Sequence, residues 1–324
     1  SDIDDEMLWE AGKFWYESSR AEGNRFENFE IDERLMSAAG RKKDTERLPI
    51  HVYDENNSKE TLRLEDIISE SESHHIYLVG EGGIGKTTTA LCLTAGLINR
   101  GYKVLLIDTD PQKSATSVYG AREEDTCTLA DMLFSNTPAS ECIQKTALGD
   151  IIASDSLLKE AETRIPNDVD RFYYLKDTCK CIEDEYDYII FDTPPGNGVL
   201  LGNVLSCADS VIMPITCDRF GIQGMIDFYN SMCSYKKRIN PGIHISGVLI
   251  IKYKGRQSLT QSLEEATIPE IAAQIETKVY ETKIRESVKC QESQVYGKSL
   301  FEYAPNSTTA IDYNMFIEEL LKEG

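Results

Sequence analysis

Beyond residue 74 the chain alternates between short apolar runs and amphipathic stretches at helical spacing. Val104-Leu-Leu-Ile107, Tyr188-Ile-Ile-Phe191 and Val248-Leu-Ile-Ile251 contain no polar position. A strand with one wet face alternates apolar and polar residues, so an unbroken run suits a parallel sheet covered on both faces. The pattern predicts strands at 75–79, 103–108, 150–153, 187–192, 209–214, 244–251 and 279–282. Helices are expected at 86–100, 129–134, 169–184, 198–206, 222–238, 258–275, 286–293 and 308–322. Strand and helix taking turns in this way predicts a doubly wound α/β fold with a mostly parallel sheet.

Residues 1–74 have a different texture. Asp4 to Ser19 places Leu8, Ala11, Phe14 and Trp15 on one helical face, and a charge-dense stretch follows to Arg47. Two short strands, Leu48–Tyr53 and Thr61–Leu64, flank the turn-rich Asp54-Glu-Asn-Asn-Ser58, and Leu64–Ser71 suits a short helix. The expected organisation is a small N-terminal extension, 1–74, and a main domain, 75–324.

Composition narrows the function classes. With 324 residues and 41 % apolar content, the chain can bury a large core. A net charge of −21 excludes a protein that coats nucleic acid or anionic lipid over its whole surface, though not a local basic patch. No run reaches membrane-spanning length and the acidic start is unlike a secretory signal, so the expected location is cytoplasmic. Nine cysteines are scattered without a C-x-x-C pair, and the four histidines do not complete a metal-ligand pattern. Idle reduced thiols are expected, neither a zinc site nor a disulfide framework.

The candidate chemistry begins at Gly80-Glu-Gly-Gly-Ile-Gly-Lys-Thr-Thr-Thr89, which satisfies the G-x-x-x-x-G-K-[ST] phosphate-binding pattern. It lies between an apolar run, His75–Val79, and a helical one, Lys86–Arg100. Glycines let backbone N–H groups approach phosphate oxygens, and the helix start adds its positive dipole end. Lys86 would reach the β- and γ-phosphates and the Thr87 hydroxyl would hold Mg²⁺. A second segment, Val104 to Gln112, ends a strand with Asp108 and Asp110, which point to one side if the chain stays extended. A third, Tyr188 to Gly196, ends its strand in Asp192, an acid suited to a Mg²⁺-nucleotide site.

Together these segments resemble the ParA/Soj branch of the MinD-like P-loop NTPases, a family of ATPases that partition plasmids and chromosomes. Gly82-Gly-Ile-Gly-Lys-Thr-Thr-Thr89 is similar to the family's deviant Walker A, Asp108-Thr-Asp-Pro-Gln112 to its A′ motif and Asp192-Thr-Pro-Pro195 to its Walker B and switch. The likeness continues through Pro214–Gly224, Ile245–Leu249, Gly255-Arg256, Val279–Thr282, Gly297-Lys298 and Tyr303–Ser307. The resemblance implies that Gly82, Gly83, Ile84, Gly85, Lys86, Thr87, Thr88 and Asp192 bind ATP, with Thr87 and Asp192 serving Mg²⁺. It makes Lys86 and Asp110 the catalytic residues, Asp110 positioning the attacking water. It further implies slow hydrolysis, an ATP-dependent homodimer, a ParB-like centromere-binding partner, and non-specific DNA contacts through Arg256 and Lys289. DNA binding would make the protein nucleoid-associated.

Three departures accompany this likeness. Glu81 stands where the family carries a lysine that crosses a dimer to the partner's phosphates, reversing a short-range term of roughly 4 kcal/mol at an effective dielectric near 20. Glu286 stands where the family has an arginine, beside the basic Lys252, Lys254, Lys283, Arg285 and Lys298. The last helix lacks the basic amphipathic character of the membrane-riding MinD; its face of Ile311, Met315, Phe316 and Leu320 is expected to dock on the domain, and no membrane contact is expected. Gly-Glu-Gly-Gly also resembles the nucleotide loop of STAND-type signalling ATPases. A competing expectation is therefore a nucleotide switch in signalling or assembly that does not bind DNA.

Overall fold

The computed structural model describes residues 49–53, 59–63, 74–78, 85–168, 170–194, 198–254 and 263–322. It divides into two units, Ser1–Glu72 and Ser73–Gly324. In the first, β1 (Pro49–Tyr53) and β2 (Lys59–Arg63) form an antiparallel pair, with His51 opposite Thr61. The expected helices at Asp4–Ser19 and Leu64–Ser71 lie outside the described residues, as do Gly82, Gly83, Ile84 and Arg256.

The second unit is built on a seven-stranded sheet. Its strands are β3 (His74–Leu78), β4 (Val104–Asp108), β5 (Ile143–Thr146), β6 (Gly149–Ile152), β7 (Tyr188–Asp192), β8 (Ser210–Ile215) and β9 (His244–Ile250). They lie in the order β5-β6-β4-β7-β3-β8-β9, and every pairing is parallel except β5 with β6. The helices are α1 (Lys86–Ile98), α2 (Ser114–Tyr119), α3 (Leu129–Ser135), α4 (Tyr174–Cys179), α5 (Val199–Cys207), α6 (Arg219–Arg238), α7 (Ile268–Gln274), α8 (Lys289–Val295) and α9 (Thr308–Leu321), with single turns at 139–142, 161–164 and 300–303.

The unbroken apolar strands have a direct structural cause. Leu105, Ile107, Ile189, Phe191, Val211, Met213, Val248 and Ile250 belong to a core on one face of the sheet. Their neighbours in sequence, Val104, Leu106, Tyr188, Ile190, Ile212, Leu249 and Ile251, belong to a core on the other. Alternate side chains thus enter opposite layers, and both layers are predominantly apolar. Helix α6 starts at Asp218, whose carboxylate accepts from the N–H groups of Phe220 and Gly221, and ends in Lys236, Lys237 and Arg238. Acid at the start and base at the end both suit the helix dipole.

Four expectations are corrected. Residues 279–282 do not form a strand; a single bridge joins Val279 to Val248, because Lys278 to Ile284 exchange irregular backbone bonds with β9 instead of a ladder. Strand β5 has no counterpart among the predicted strands, because Ile143-Gln-Lys-Thr146 is a short, half-wet edge without periodicity. The docking face of α9 is Ala310, Tyr313, Phe316 and Ile317, whereas Ile311 and Met315 are exposed. A stripe at positions 310, 313 and 317 follows the helical period as well as the expected one, and the pull of Tyr313 toward the core decides between them. Finally, Cys127 and Cys142 are bonded to each other, because α3 and the 139–142 turn bring their Cα atoms to 4.5 Å.

Candidate nucleotide site

The carboxyl ends of β3, β4 and β7 lie side by side. Asp108 is in register with Asp192, and Leu78 is in register with Asp192 on its other side. Thr109 closes the seam: its N–H and its hydroxyl both donate to the Asp192 carbonyl, at 2.8 and 2.7 Å. These ends are where ligands bind open α/β sheets. Gly85 turns the chain from the β3 end into α1 at φ +95°, and a Cβ there would meet Ile251 Cδ1 at 3.3 Å. That left-handed turn favours glycine and leaves the first N–H groups of α1 uncapped by any side chain.

Lys86 and Asp192 give the site its charge. Lys86 is 6 % exposed and Asp192 fully buried, yet Lys86 Nζ and both Asp192 oxygens have no hydrogen-bond partner. Burial lowers the Lys86 pKa, against the opposing pull of Asp192 and Asp110. Burial, helped by Asp108, pushes the Asp192 carboxyl up to about 8, while the Thr87 hydroxyl and Lys86 oppose the rise. A buried charge without partners is costly unless something completes its coordination.

Asp108 and Asp110 diverge rather than sharing a side, because the strand ends at Asp108 and Lys113 N–H closes a turn on the Asp110 carbonyl at 2.8 Å. Asp108 is fully buried; its carboxylate accepts from the Thr116 N–H at 2.8 Å and hydroxyl at 2.7 Å, and from the Asp110 N–H at 3.1 Å. Burial still raises its pKa to about 6. Asp110 is half-exposed and near enough to Lys86 to raise it. Its carboxylate accepts from the Gln112 N–H, and Ser154 Oγ holds its carbonyl at 2.7 Å. Asp108 is thus a buried brace, and Asp110 the half-exposed acid near Lys86.

The three threonines after Lys86 part company. Thr87 lies beside Asp192. The Thr88 hydroxyl accepts from Gln294 Nε2 of α8 at 2.9 Å. Thr89 is tied to the Gly85 carbonyl and to Tyr313 Oη. Gln294 and Thr116 were not singled out from the sequence: one sits some two hundred residues away, the other in a polar stretch without periodicity.

Comparison with known proteins identifies the family. The family model described as an AAA domain matches residues 76–245. Soj, a sporulation initiation inhibitor of Bacillus subtilis, is 33 % identical over 248 residues, covering 75 % of this chain and 96 % of its own length. The chromosome partitioning protein ParA of Myxococcus xanthus is 30 % identical over 245 residues, 75 % of this chain and 85 % of that one. The chain belongs to the ParA/Soj family of P-loop ATPases. This ParA/Soj-type ATPase also shares its fold with cobyrinic acid a,c-diamide synthase of Mycobacterium smegmatis, solved with an ATP analog and magnesium: 25 % identity, TM-score 0.66, 77 % of this chain and 95 % of the other.

The basic residues of the ATPase's C-terminal part behave unlike Lys86. Lys254 pairs with Glu286 at 2.8 Å, Lys289 with Glu292 at 2.7 Å and Lys298 with Glu302 at 2.7 Å; Lys283 pairs with Glu264. Arg285 clasps Asp312 through Nε and Nη2, while Asp312 also accepts its backbone N–H at 2.9 Å. Each of these five cations already has a carboxylate. Among the described residues no cluster suits a protein-only metal site, and no helix is long and apolar enough to cross a membrane.

Proposed function

We propose that this ATPase binds ATP and Mg²⁺ at the ends of β3, β4 and β7 and uses slow hydrolysis to position or segregate DNA. The supporting observation is the set of unpartnered buried charges, Lys86 Nζ and both Asp192 oxygens, beside the uncapped start of α1. Gly82, Gly83, Ile84, Gly85, Thr87 and Thr88 would cradle phosphate through backbone N–H groups, with Lys86 neutralising the terminal oxygens. Thr87 and Asp192 would hold the metal, which supplies charge neutralisation around the phosphates when bound. Asp110 would orient the attacking water, since phosphoryl transfer depends mainly on positioning and charge. In this reading ATP promotes a homodimer, a ParB-like partner stimulates hydrolysis, and DNA contact involves Arg256 and Lys289.

A second reading, a nucleotide switch without DNA binding, draws support from the paired cations and from Glu81. One experiment separates them. ATPase rate and retention on random duplex DNA are measured with ATP at 50 and 300 mM salt. Salt-sensitive retention that falls on Arg256→Glu supports partition; hydrolysis without any retention supports the second reading.

A further inference from the structure

Helices α1 and α8 meet through two contacts one turn apart. Gln294 Nε2 donates to Thr88 Oγ1 at 2.9 Å, and four residues along each helix Cys290 and Cys92 lie close enough for each thiol to perturb the other. Thr88 and Cys92 are i and i+4 on α1; Gln294 and Cys290 are i and i−4 on α8. The helices therefore run antiparallel where they touch, and the two sulfurs face each other across the seam. All four residues line one crevice that admits a water-sized molecule. Both sulfurs are nearly buried, Cys92 at 4 % and Cys290 at 8 % exposure.

We propose that Cys92 and Cys290 are a reversible dithiol switch, oxidised by a peroxide, that locks α8 onto the helix carrying the phosphate-binding residues. The contact makes the partners unequal: the Cys92 thiol stabilises the Cys290 thiolate and lowers its pKa, while burial raises that of Cys92. Cys290, the more exposed of the two, is the attacking sulfur. Its thiolate takes one peroxide oxygen, the O–O bond breaks, and the other oxygen leaves as water once protonated. Cys92 sulfur then displaces the resulting hydroxyl from Cys290, and its own proton leaves with that oxygen as a second water. Two S–H bonds and one peroxide become one S–S bond and two waters. A small dithiol reverses the change.

The lock holds Gln294 against Thr88, one turn from the phosphate loop, so its effect on nucleotide exchange rests on the nucleotide reading above. The linkage itself does not. The test uses the reduced full chain treated with hydrogen peroxide, alkylated, and mapped as peptides without reduction. The expected result is a Cys92–Cys290 crosslink, absent after Cys290→Ser, with a dithiol-reversible change of at least about threefold in release of a fluorescent ADP. Recovery of Cys92 as free alkylated thiol beside over-oxidised Cys290, or crosslinks of either to another cysteine, overturns the pair. A crosslink that leaves release unchanged overturns the lock. If the reduced chain binds no nucleotide, the nucleotide reading fails instead, and the peptide map alone decides the dithiol.

Discussion

Two charged regions of this ATPase are arranged on opposite plans. At the sheet ends Lys86 and Asp192 are buried and unpartnered. On the C-terminal part Lys254, Lys283, Arg285, Lys289 and Lys298 are each matched to an acid, mostly in contact with water. Unmatched buried charge destabilises the empty protein and is retained where a ligand completes it. Matched surface charge adds little stability and leaves little field for a polyanion. The difference teaches that the count of basic residues, which drew attention to residues 252–298 in the sequence, is a poor guide to an anion site. The pairing state of each residue is a better one.

Lys86→Ala tests the unmatched region most severely. Hydrolysis should drop by about 100-fold or more, with loss of the thermal stabilisation given by ATP; near-normal turnover would contradict the assignment. Asp192→Asn should produce opposite effects on two readouts. The empty protein gains melting temperature, while stabilisation by Mg²⁺ and ATP disappears. Because the folded carboxyl titrates near 8 rather than near 4, its neutral form favours the folded state at low pH. That contribution is fully present below about pH 4 and is lost as pH rises toward 8. The melting advantage of Asp192→Asn over wild type should therefore widen between pH 5 and 9, and a constant gap would count against an ionising buried acid.

In the matched region the largest loss should come from Asp312→Ala. It strands the Arg285 backbone N–H while the half-exposed guanidinium stays hydrated, so denaturant titration should register about 1–2 kcal/mol. Glu286→Gln with Glu292→Gln frees Lys254 and Lys289; DNA retention at low salt should rise by about 3- to 10-fold if this face meets DNA. The smallest effect belongs to Lys298→Ala, whose exposed pair with Glu302 should change stability by less than about 0.5 kcal/mol.

Much of the fold could be read because double burial writes itself plainly. Strands β4 and β7 are buried at every position, so no polar residue interrupts their runs. Strand β5 and helix α2 were invisible for the converse reason: Ile143-Gln-Lys-Thr146 and Ser114-Ala-Thr-Ser-Val-Tyr119 are shaped by neighbours, not by period. In the candidate site, spacing along a strand, loop and helix is enough to propose Lys86, Thr87 and Asp192. The division of labour between Asp108 and Asp110 is not legible there, since it depends on Thr116 filling one carboxylate and a turn redirecting the other. The link from Thr88 to Gln294 and the bond from Cys127 to Cys142 are likewise products of tertiary approach.

The way the sheet terminates bears on how copies of this protein can meet. On one flank the last strand is a four-residue antiparallel piece with Lys145 in water. On the other, Lys278 to Ile284 run beside β9 and occupy Val248 N–H and the carbonyls of Val248 and Ile250. Among the described residues neither rim offers a long open row of backbone donors and acceptors for an incoming strand. Self-association by strand addition is disfavoured at both ends, so any joining of two molecules falls to side chains and loops.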